Sequence, residues 1–521
     1  MTDSPLDGPA GEPRAVPPPG CPAHGVTGVP LYGPEFADDP GSVYARLRRD
    51  HGAIAPVLLE ESVEASLVVS YDAALQLLRS PEMFAKDPRN WKAVNDGRIA
   101  PDNPLLPMMG YRPNALFTDG EEHTRYRSAI SDGLDRIDPI ELRNYVQRSA
   151  DKLIDGFCAD GKVDLRREYA LVVPLLVFMD MFGCPPAIAE KLVRGMSGIF
   201  DVVDAEASNA VLTEGTIELV ALKREKPGAD MTSWLMAHPA GLTDEEMVHQ
   251  LALLMGAGTE PQQNLIANSL MLLLSDDRFA GDLAGGSMPI DDALDEVLWT
   301  DPPIANYGVR YPLHDVDVAG VRLRAGEPVV VSFTAANTDP ALAGSQRAGN
   351  RAHLAWSAGP HACPAKDSAR LIAAVAIERL LDRLPDLELA VPADQLRWRP
   401  GPFHRALAEL PVVFPPVRPV SAAAPVPLLA AAGQEAAPPR SLPSQPAAES
   451  ASQYGDNAWS THQGSRARPT SQARPGPPRQ AERPPTSSTQ QAPTSTVSTP
   501  PSARGARRRW WSFPAVWRRG R

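Results

Sequence analysis

At 521 residues with 43% hydrophobic content, the chain has material for one large core or several domains. Its four cysteines, Cys21, Cys158, Cys184 and Cys363, show no C-x-x-C spacing, which argues against a disulfide framework or a structural zinc or iron–sulfur site and fits a reducing cytoplasm. The net charge of −12 hides a split: residues 419–521 hold 13 Arg, no Lys and 4 acidic residues, so this end carries +9 and the rest −21.

Residues 1–35 are proline-rich and acidic, without the basic flank and apolar run of a signal peptide, so a non-secreted chain is expected. The apolar run YALVVPLLVFM, ending at Met179, is broken by Pro174 and falls short of the roughly 20 residues that a membrane-spanning helix needs. A soluble protein is the expectation. From 38 to 274 the pattern is helical: FADDPGSVYARLRRD and YDAALQLLRS repeat apolar positions at three- and four-residue spacing. LTDEEMVHQLALLM opens with a capping-box pair, Thr243 and Glu246. Between 306 and 333 the pattern alternates instead, and a turn at Ala325 and Gly326 predicts a hairpin. The segment ACPAKDSARLIAAVAIERLLDRL is again amphipathic, with Pro364 at its predicted first helical position. The fold class is therefore mainly α with a smaller β region. After about Pro416 the composition turns to Pro, Ser, Ala, Gln and Arg, which cannot offset the entropy of ordering and predicts a disordered tail.

The prediction puts Cys363 at a helix N-terminus, where unpaired N–H groups and the helix dipole favour a thiolate. Such a cysteine serves as nucleophile or metal ligand; a buried apolar cysteine is the plain alternative. The surrounding W-S-A-G-P-H-A-C-P-A resembles the heme loop of the cytochrome P450 family, F-G-x-G-x-H-x-C-x-G/A, with Gly359, His361, Cys363 and Ala365 in register. The preceding His353-Leu354-Ala355 matches bacterial members.

The resemblance spans most of residues 36–415 in family order. His123 and Arg127 match the H-x-x-x-R that holds a heme propionate, and their i, i+4 spacing puts both on one helix face. LLMGAGTEPQQNLIAN is similar to the helix over the distal heme face, with Ala257 and Gly258 making room for dioxygen and Glu260 at the acid position. Arg310 stands where the family has another propionate-binding arginine. The resemblance thus implies heme b with Cys363 as axial thiolate, and His361, His123, Arg127 and Arg310 neutralising the propionates. It also implies N–H groups after Cys363 bonding its sulfur, Pro364 removing one, and Trp356 packing on the thiolate side, where its indole N–H can replace a donor.

Three departures stand out. The family's E-x-x-R becomes Glu296-Val297-Leu298-Trp299, so Glu296 needs another partner, with Arg347 and Arg351 as candidates, and Trp299 is expected to fill the arginine's space with its N–H near Glu296 or a carbonyl. Pro261 replaces the distal threonine whose hydroxyl helps deliver protons; it is expected to kink the helix and strip the Ala257 carbonyl of its donor, with Thr259 and Gln262 as remaining polar neighbours. A-N-R-D-P becomes Ala336-Asn337-Thr338-Asp339-Pro340. In combination these resemble an actinobacterial P450 subfamily lacking E-x-x-R, encoded in streptomycete conservons beside a small GTPase and a sensor-kinase-like protein.

Two functions follow from the resemblance. One is a monooxygenase using electrons from a separate ferredoxin and ferredoxin reductase, poorly coupled because of Pro261, on a small organic substrate lined by residues 87–117 and 193–220. The other is a heme-binding regulatory or scaffold protein of the same fold, acting in a GTPase-linked, membrane-associated signalling complex. The organisation read from the sequence is a flexible N-terminus (1–35), a heme domain (36–415), a disordered linker (416–504) and a basic aromatic segment (505–521). In that last segment six arginines flank Trp510, Trp511, Phe513 and Trp517, a mixture suited to an anionic membrane surface or a membrane-associated signalling partner. Pro514 breaks any single amphipathic helix, so peripheral attachment of a cytoplasmic protein is the expectation, with a solvated tail as the alternative. No folded basic domain accompanies it to favour nucleic acid.

Overall fold

The computed structural model describes residues 28–200, 205–279, 290–342 and 349–420. These lie in the first of two units, Met1–Arg440 and Ser441–Arg521. The basic aromatic segment and most of the predicted tail lie outside the described residues. The helices of nine or more residues are α1 Pro40–His51, α2 Tyr71–Arg79, α3 Gly120–Leu134, α4 Pro139–Phe157, α5 Val172–Phe182, α6 Pro186–Phe200, α7 Ala205–Glu225, α8 Asp244–Ser275, α9 Ile290–Thr300 and α10 Lys366–Arg383. The main sheet has the order β1 Val29–Pro30, β2 Ile54–Glu60, β3 Val63–Val68, β4 Val329–Val331; β2 and β3 are antiparallel and the outer pairs parallel. Among the described residues no helix is long and apolar enough to cross a membrane.

Helix α8 runs 32 residues, about 48 Å at 1.5 Å per residue. Both bonds of the expected capping box start it: the Glu246 N–H donates to Thr243 Oγ1 (3.2 Å) and the Thr243 N–H to Glu246 Oε2 (2.9 Å). It continues unbroken through Pro261, and its Leu265, Ile266, Ala267, Leu270 and Leu273 enter one core with α4, α5, α9 and α10. The sheet covers a second core around Tyr44, Trp91 and Tyr311. The C-terminal stretch stays tied to α4: the Val417 N–H donates to the Cys158 carbonyl (2.8 Å) and the Val420 N–H to Asp155 Oδ1 (3.0 Å).

Two local expectations change. The hairpin pairs Val316–Val318 with Val321–Leu323, so it turns at Ala319 and Gly320, both at positive φ (48° and 80°), as a tight two-residue turn requires. Ala325 and Gly326 instead lead the chain into β4. Helix α10 begins at Lys366 with Ala365 as N-cap, two residues later than Pro364 implied.

In α9 the enclosed ion pair is made by Asp295 and not by Glu296. Asp295 Oδ1 bonds Arg370 Nη1 of α10, with the two side chains 7% and 11% exposed, and Arg351 Nε reaches Asp295 Oδ2 at 3.2 Å. Glu296 meets Arg278, an exposed side chain, at 3.6 Å. Arg351 is thus spent on Asp295 and not on Glu296, while Arg347 lies outside the described residues. Trp299 is buried at 3% exposure, donates its indole N–H to the Asn350 carbonyl (2.7 Å) and sets its ring edge-on to His353. Thr338 also has a neighbouring cation: Arg48 of α1 reaches its hydroxyl (3.5 Å) and the Ala335 carbonyl. Asn337 and Asp339 of the same motif hold the Leu298 carbonyl with the Leu354 N–H, and the Tyr71 N–H, respectively.

Because Arg370 is largely enclosed and would keep only the exposed Asp291 as partner (2.9 Å), Asp295→Asn should destabilise the folded protein by about 2 kcal/mol or more. Glu296→Gln, whose partner is exposed, should cost less than about 1 kcal/mol. Urea unfolding of the two variants checks the contrast; equal losses would contradict the reassigned pair.

Candidate functional site

Between residues 354 and 365 the chain makes two tight turns that position Cys363. Leu354–Trp356 and Gly359–His361 are single 3₁₀ turns, and the Cys363 N–H donates to the Trp356 carbonyl (2.8 Å), closing the loop on itself. Gly359 sits at φ +70°, and a Cβ there would run into the Leu78 carbonyl at the end of α2. Ser357 stands where the motif has its first glycine, at φ 60° and ψ −171°, a conformation that only glycine adopts without strain. Trp356 packs its ring against the main core, while its carbonyl is what meets Cys363.

Enclosure pushes the Cys363 thiol pKa up; the Ala365 N–H directed at the sulfur, Arg127 and Lys366 oppose this without overcoming it. The helix starts three residues after Cys363, so its dipole alone does not make a thiolate, contrary to the expectation from placement. A cation bound at sulfur supplies the missing stabilisation in any site of this kind.

The basic residues singled out in the sequence come together around this loop. Arg127 of α3 donates through Nη2 to the Ala362 carbonyl (2.5 Å). His123, one turn earlier on α3, lies ring to ring with His361 at 4.1 Å between centroids. His361 Nε2 and Asp119 Oδ1 are 3.2 Å apart. Arg310 is 3% exposed and exchanges backbone bonds with Val329 of β4. Two members were not visible in the sequence. Asp119 holds the N-cap position of α3 but does not cap it: its Oδ2 accepts the backbone N–H groups of Lys86 (2.7 Å) and Asp87 (2.9 Å). Lys86, at 3% exposure, places Nζ 4.7 Å from the Tyr307 ring centroid. Lys86 lies one residue outside the expected pocket segment, after a two-residue strand, Phe84–Ala85, too short to show periodicity.

Burial disfavours the charged form of every base in this cluster. Burial lowers the pKa of Lys86 well below its ordinary value, with Arg310 adding to the effect and Asp119 opposing it. Burial takes Arg310 down to about 10 and His361 down to about 4, again against Asp119. His123 Nε2 and Arg310 Nη2 are buried with no hydrogen-bond partner among the described residues. Buried donors of this sort are rare unless something accepts from them. A group carrying two carboxylates beside Cys363, as heme does, fits both the charge and the orphaned donors.

On the helix expected over the distal face Ala257 is exposed, whereas Gly258 lies against the Phe178 ring of α5, which a Cβ would displace. Thr259 donates its hydroxyl back to the Met255 carbonyl (2.8 Å), and Gln262 donates to the Ala369 carbonyl of α10 (3.0 Å). Both of the expected polar neighbours thus have a donor committed to a backbone carbonyl. Glu260 is buried in an ion pair with Arg399 Nη1 (2.7 Å) and accepts from Asn264 (3.2 Å) and Gln263. Burial raises its carboxyl pKa, but Arg399, His404, Asn264 and Arg166 together hold it below the ordinary value. Arg399 was not singled out in the sequence; it lies 139 residues away.

No family model matches the chain. It is 32% identical over 396 residues to 2-hydroxy-5-methyl-1-naphthoate 7-hydroxylase of Streptomyces carzinostaticus, covering 73% of this chain and 96% of that protein. To the cytochrome P450 monooxygenase PikC of Streptomyces venezuelae it is 32% identical over 402 residues, 74% of this chain and 94% of the relative. The solved structure of CYP154C4 from Streptomyces sp. W2061 aligns with a TM-score of 0.68 at 29% identity, covering 74% of this chain and 97% of that one. With the cysteine loop, the basic cluster around it and near-complete coverage of these relatives all in agreement, the chain belongs to the cytochrome P450 family.

Proposed function

We propose that this P450 is a heme-thiolate monooxygenase in which Cys363 is the iron ligand and Arg127, His123, Arg310, His361 and Lys86 form the propionate cradle. It inserts one oxygen atom of dioxygen into a small organic substrate, with electrons from a ferredoxin and its reductase. The observation that carries this reading is the pair of orphaned buried donors, His123 Nε2 and Arg310 Nη2, beside the Cys363 loop. The heme supplies the oxygen chemistry, and an axial thiolate donates the electron density that favours O–O cleavage. The chain's own contribution is to seat that group, to direct the Ala365 N–H at the sulfur, and to supply protons from the distal side.

Proton supply is where this chain departs from its family. Pro261 has no N–H and no hydroxyl, which leaves the Ala257 carbonyl an acceptor without its helical donor. With Thr259 and Gln262 donating to backbone carbonyls, Glu260, at the family's acid position, must leave Arg399 before it can pass a proton to the distal face. This supports slow or poorly directed proton delivery and loss of reducing equivalents as hydrogen peroxide. The alternative, a regulatory or scaffold protein of P450 fold in a signalling complex, finds no support in the two relatives above, whose names are those of a hydroxylase and a monooxygenase. One of them acts on an aromatic carboxylate, a naphthoate.

The reduced protein with carbon monoxide should give the red-shifted band of a thiolate-ligated heme, and Cys363→Ala should abolish it while Cys158→Ala and Cys184→Ala retain it. Persistence of the band in Cys363→Ala would overturn the assignment. Pro261→Thr should raise the ratio of product formed to NADPH consumed severalfold, the order expected for one positioned proton donor. An unchanged ratio would show that protons reach the distal face by a route independent of this position.

A further inference from the structure

Arg112 is half-buried and, like Arg48 and Arg127, forms no ion pair among the described residues, but those two spend donors on backbone carbonyls and it does not. Arg370, Arg383, Arg399 and Arg405 each face a carboxylate: Asp295, Asp155, Glu260 and Asp301. Arg112 lies on the loop leading into α3, where that loop meets α7 and α8. The Asn114 amide reaches the His249 carbonyl of α8 (3.5 Å), and the Ala115 N–H donates to Gln250 Oε1 (3.4 Å). From this junction Arg112 Nη2 donates to Asn209 Oδ1 of α7 (3.0 Å), a neutral amide. No carboxylate among the described residues forms an ion pair with it.

Its other titratable neighbours, Tyr307 and His249, do not supply a negative charge. The Tyr307 hydroxyl is spent on the Met108 carbonyl (2.7 Å), and burial raises its pKa further. His249 has its pKa lowered by burial and by Arg112, with Glu245 opposing, so its surroundings disfavour a second cation there. A guanidinium has five N–H donors in a planar fork that matches a carboxylate, and the one bond to Asn209 leaves that fork with donors to spare. Beside it the Tyr307 ring joins Met108, Met109, Phe117 and Lys86 along a narrow, mostly apolar crevice. A cation with no acid, flanked by a neutral amide and an imidazole and set next to a mostly apolar wall, suits a ligand with a carboxylate at one end and a hydrocarbon body.

We propose that Arg112 is the anion-binding residue of the substrate site, so that this P450 takes apolar carboxylic acids, with Asn209 and His249 framing the carboxylate. The inference deepens the monooxygenase reading and rests on it.

The test is equilibrium dialysis of the heme-loaded full chain against matched pairs: 1-naphthoic acid and its methyl ester, and myristic acid and its methyl ester. At least one acid should bind about 10-fold or more tightly than its ester, the difference expected for a charge-assisted bidentate contact. Arg112→Gln should remove most of that preference by weakening the acid while ester binding stays within about twofold, and Arg112→Lys should retain part of it. Esters that bind as well as acids, a preference that survives Arg112→Gln, or no binding by either acid would each overturn the inference. The carbon monoxide spectrum of the same preparation separates the two claims: with the thiolate band intact such a result removes the anion site alone, and without the band the monooxygenase reading itself fails.

Discussion

Two buried cations, Lys86 and Arg310, share one carboxylate, Asp119, and much of the fold around the Cys363 loop is arranged to make that tolerable. Removing a cation from water costs several kcal/mol even after relaxation, and a single acid cannot offset two of them together with Arg127 nearby. The fold accepts that cost at a point where four separate segments converge: the exit of strand Phe84–Ala85, the start of α3, the bridge from Arg310 to β4, and the cysteine loop. Asp119 links three of them directly, and in doing so gives up the capping role that its position on α3 would otherwise assign to it. A dicarboxylate cofactor resolves the imbalance, which ties seating of the cofactor to stability of the fold.

The same economy operates in α9, where Trp299 lies three residues after Glu296. Helix α9 turns Asp295, Leu298 and Trp299 inward, so the acid that belongs to the core is Asp295, one residue before the motif glutamate. Reading the motif alone pointed to Glu296; the helical phase set by Leu294, Val297 and Leu298 is what decides the matter. Trp299, buried on the same helix, satisfies its one donor on a backbone carbonyl. On the distal side the adjustment is less complete. Pro261 leaves the helix intact but removes a donor, and the nearby polar side chains are already engaged elsewhere.

Local features were legible in the sequence because they depend on short spacing. The capping box at Thr243 and Glu246, the mainly α fold with a smaller β region, and the bringing together of His123, Arg127, Arg310 and His361 about the Cys363 loop all follow from patterns a few residues long or from family order. Long-range electrostatics was not legible. Lys86, Asp119 and Arg399 stand in no motif of the sequence, and each becomes a site residue only through partners 33 to 242 positions away. The hairpin was misplaced for a related reason, since Ala319 and Gly320 carry a weaker turn signal than Gly326, whose glycine serves a close approach to the Asn90 carbonyl instead.

The central claim is that the basic cluster holds a cofactor by its carboxylates, and the most direct measurement is the affinity of the apoprotein for heme compared with heme dimethyl ester. Two charge-assisted hydrogen bonds at about 1.5 kcal/mol each predict that heme binds about 100-fold or more tightly than the ester. Equal affinity for the two would contradict the account.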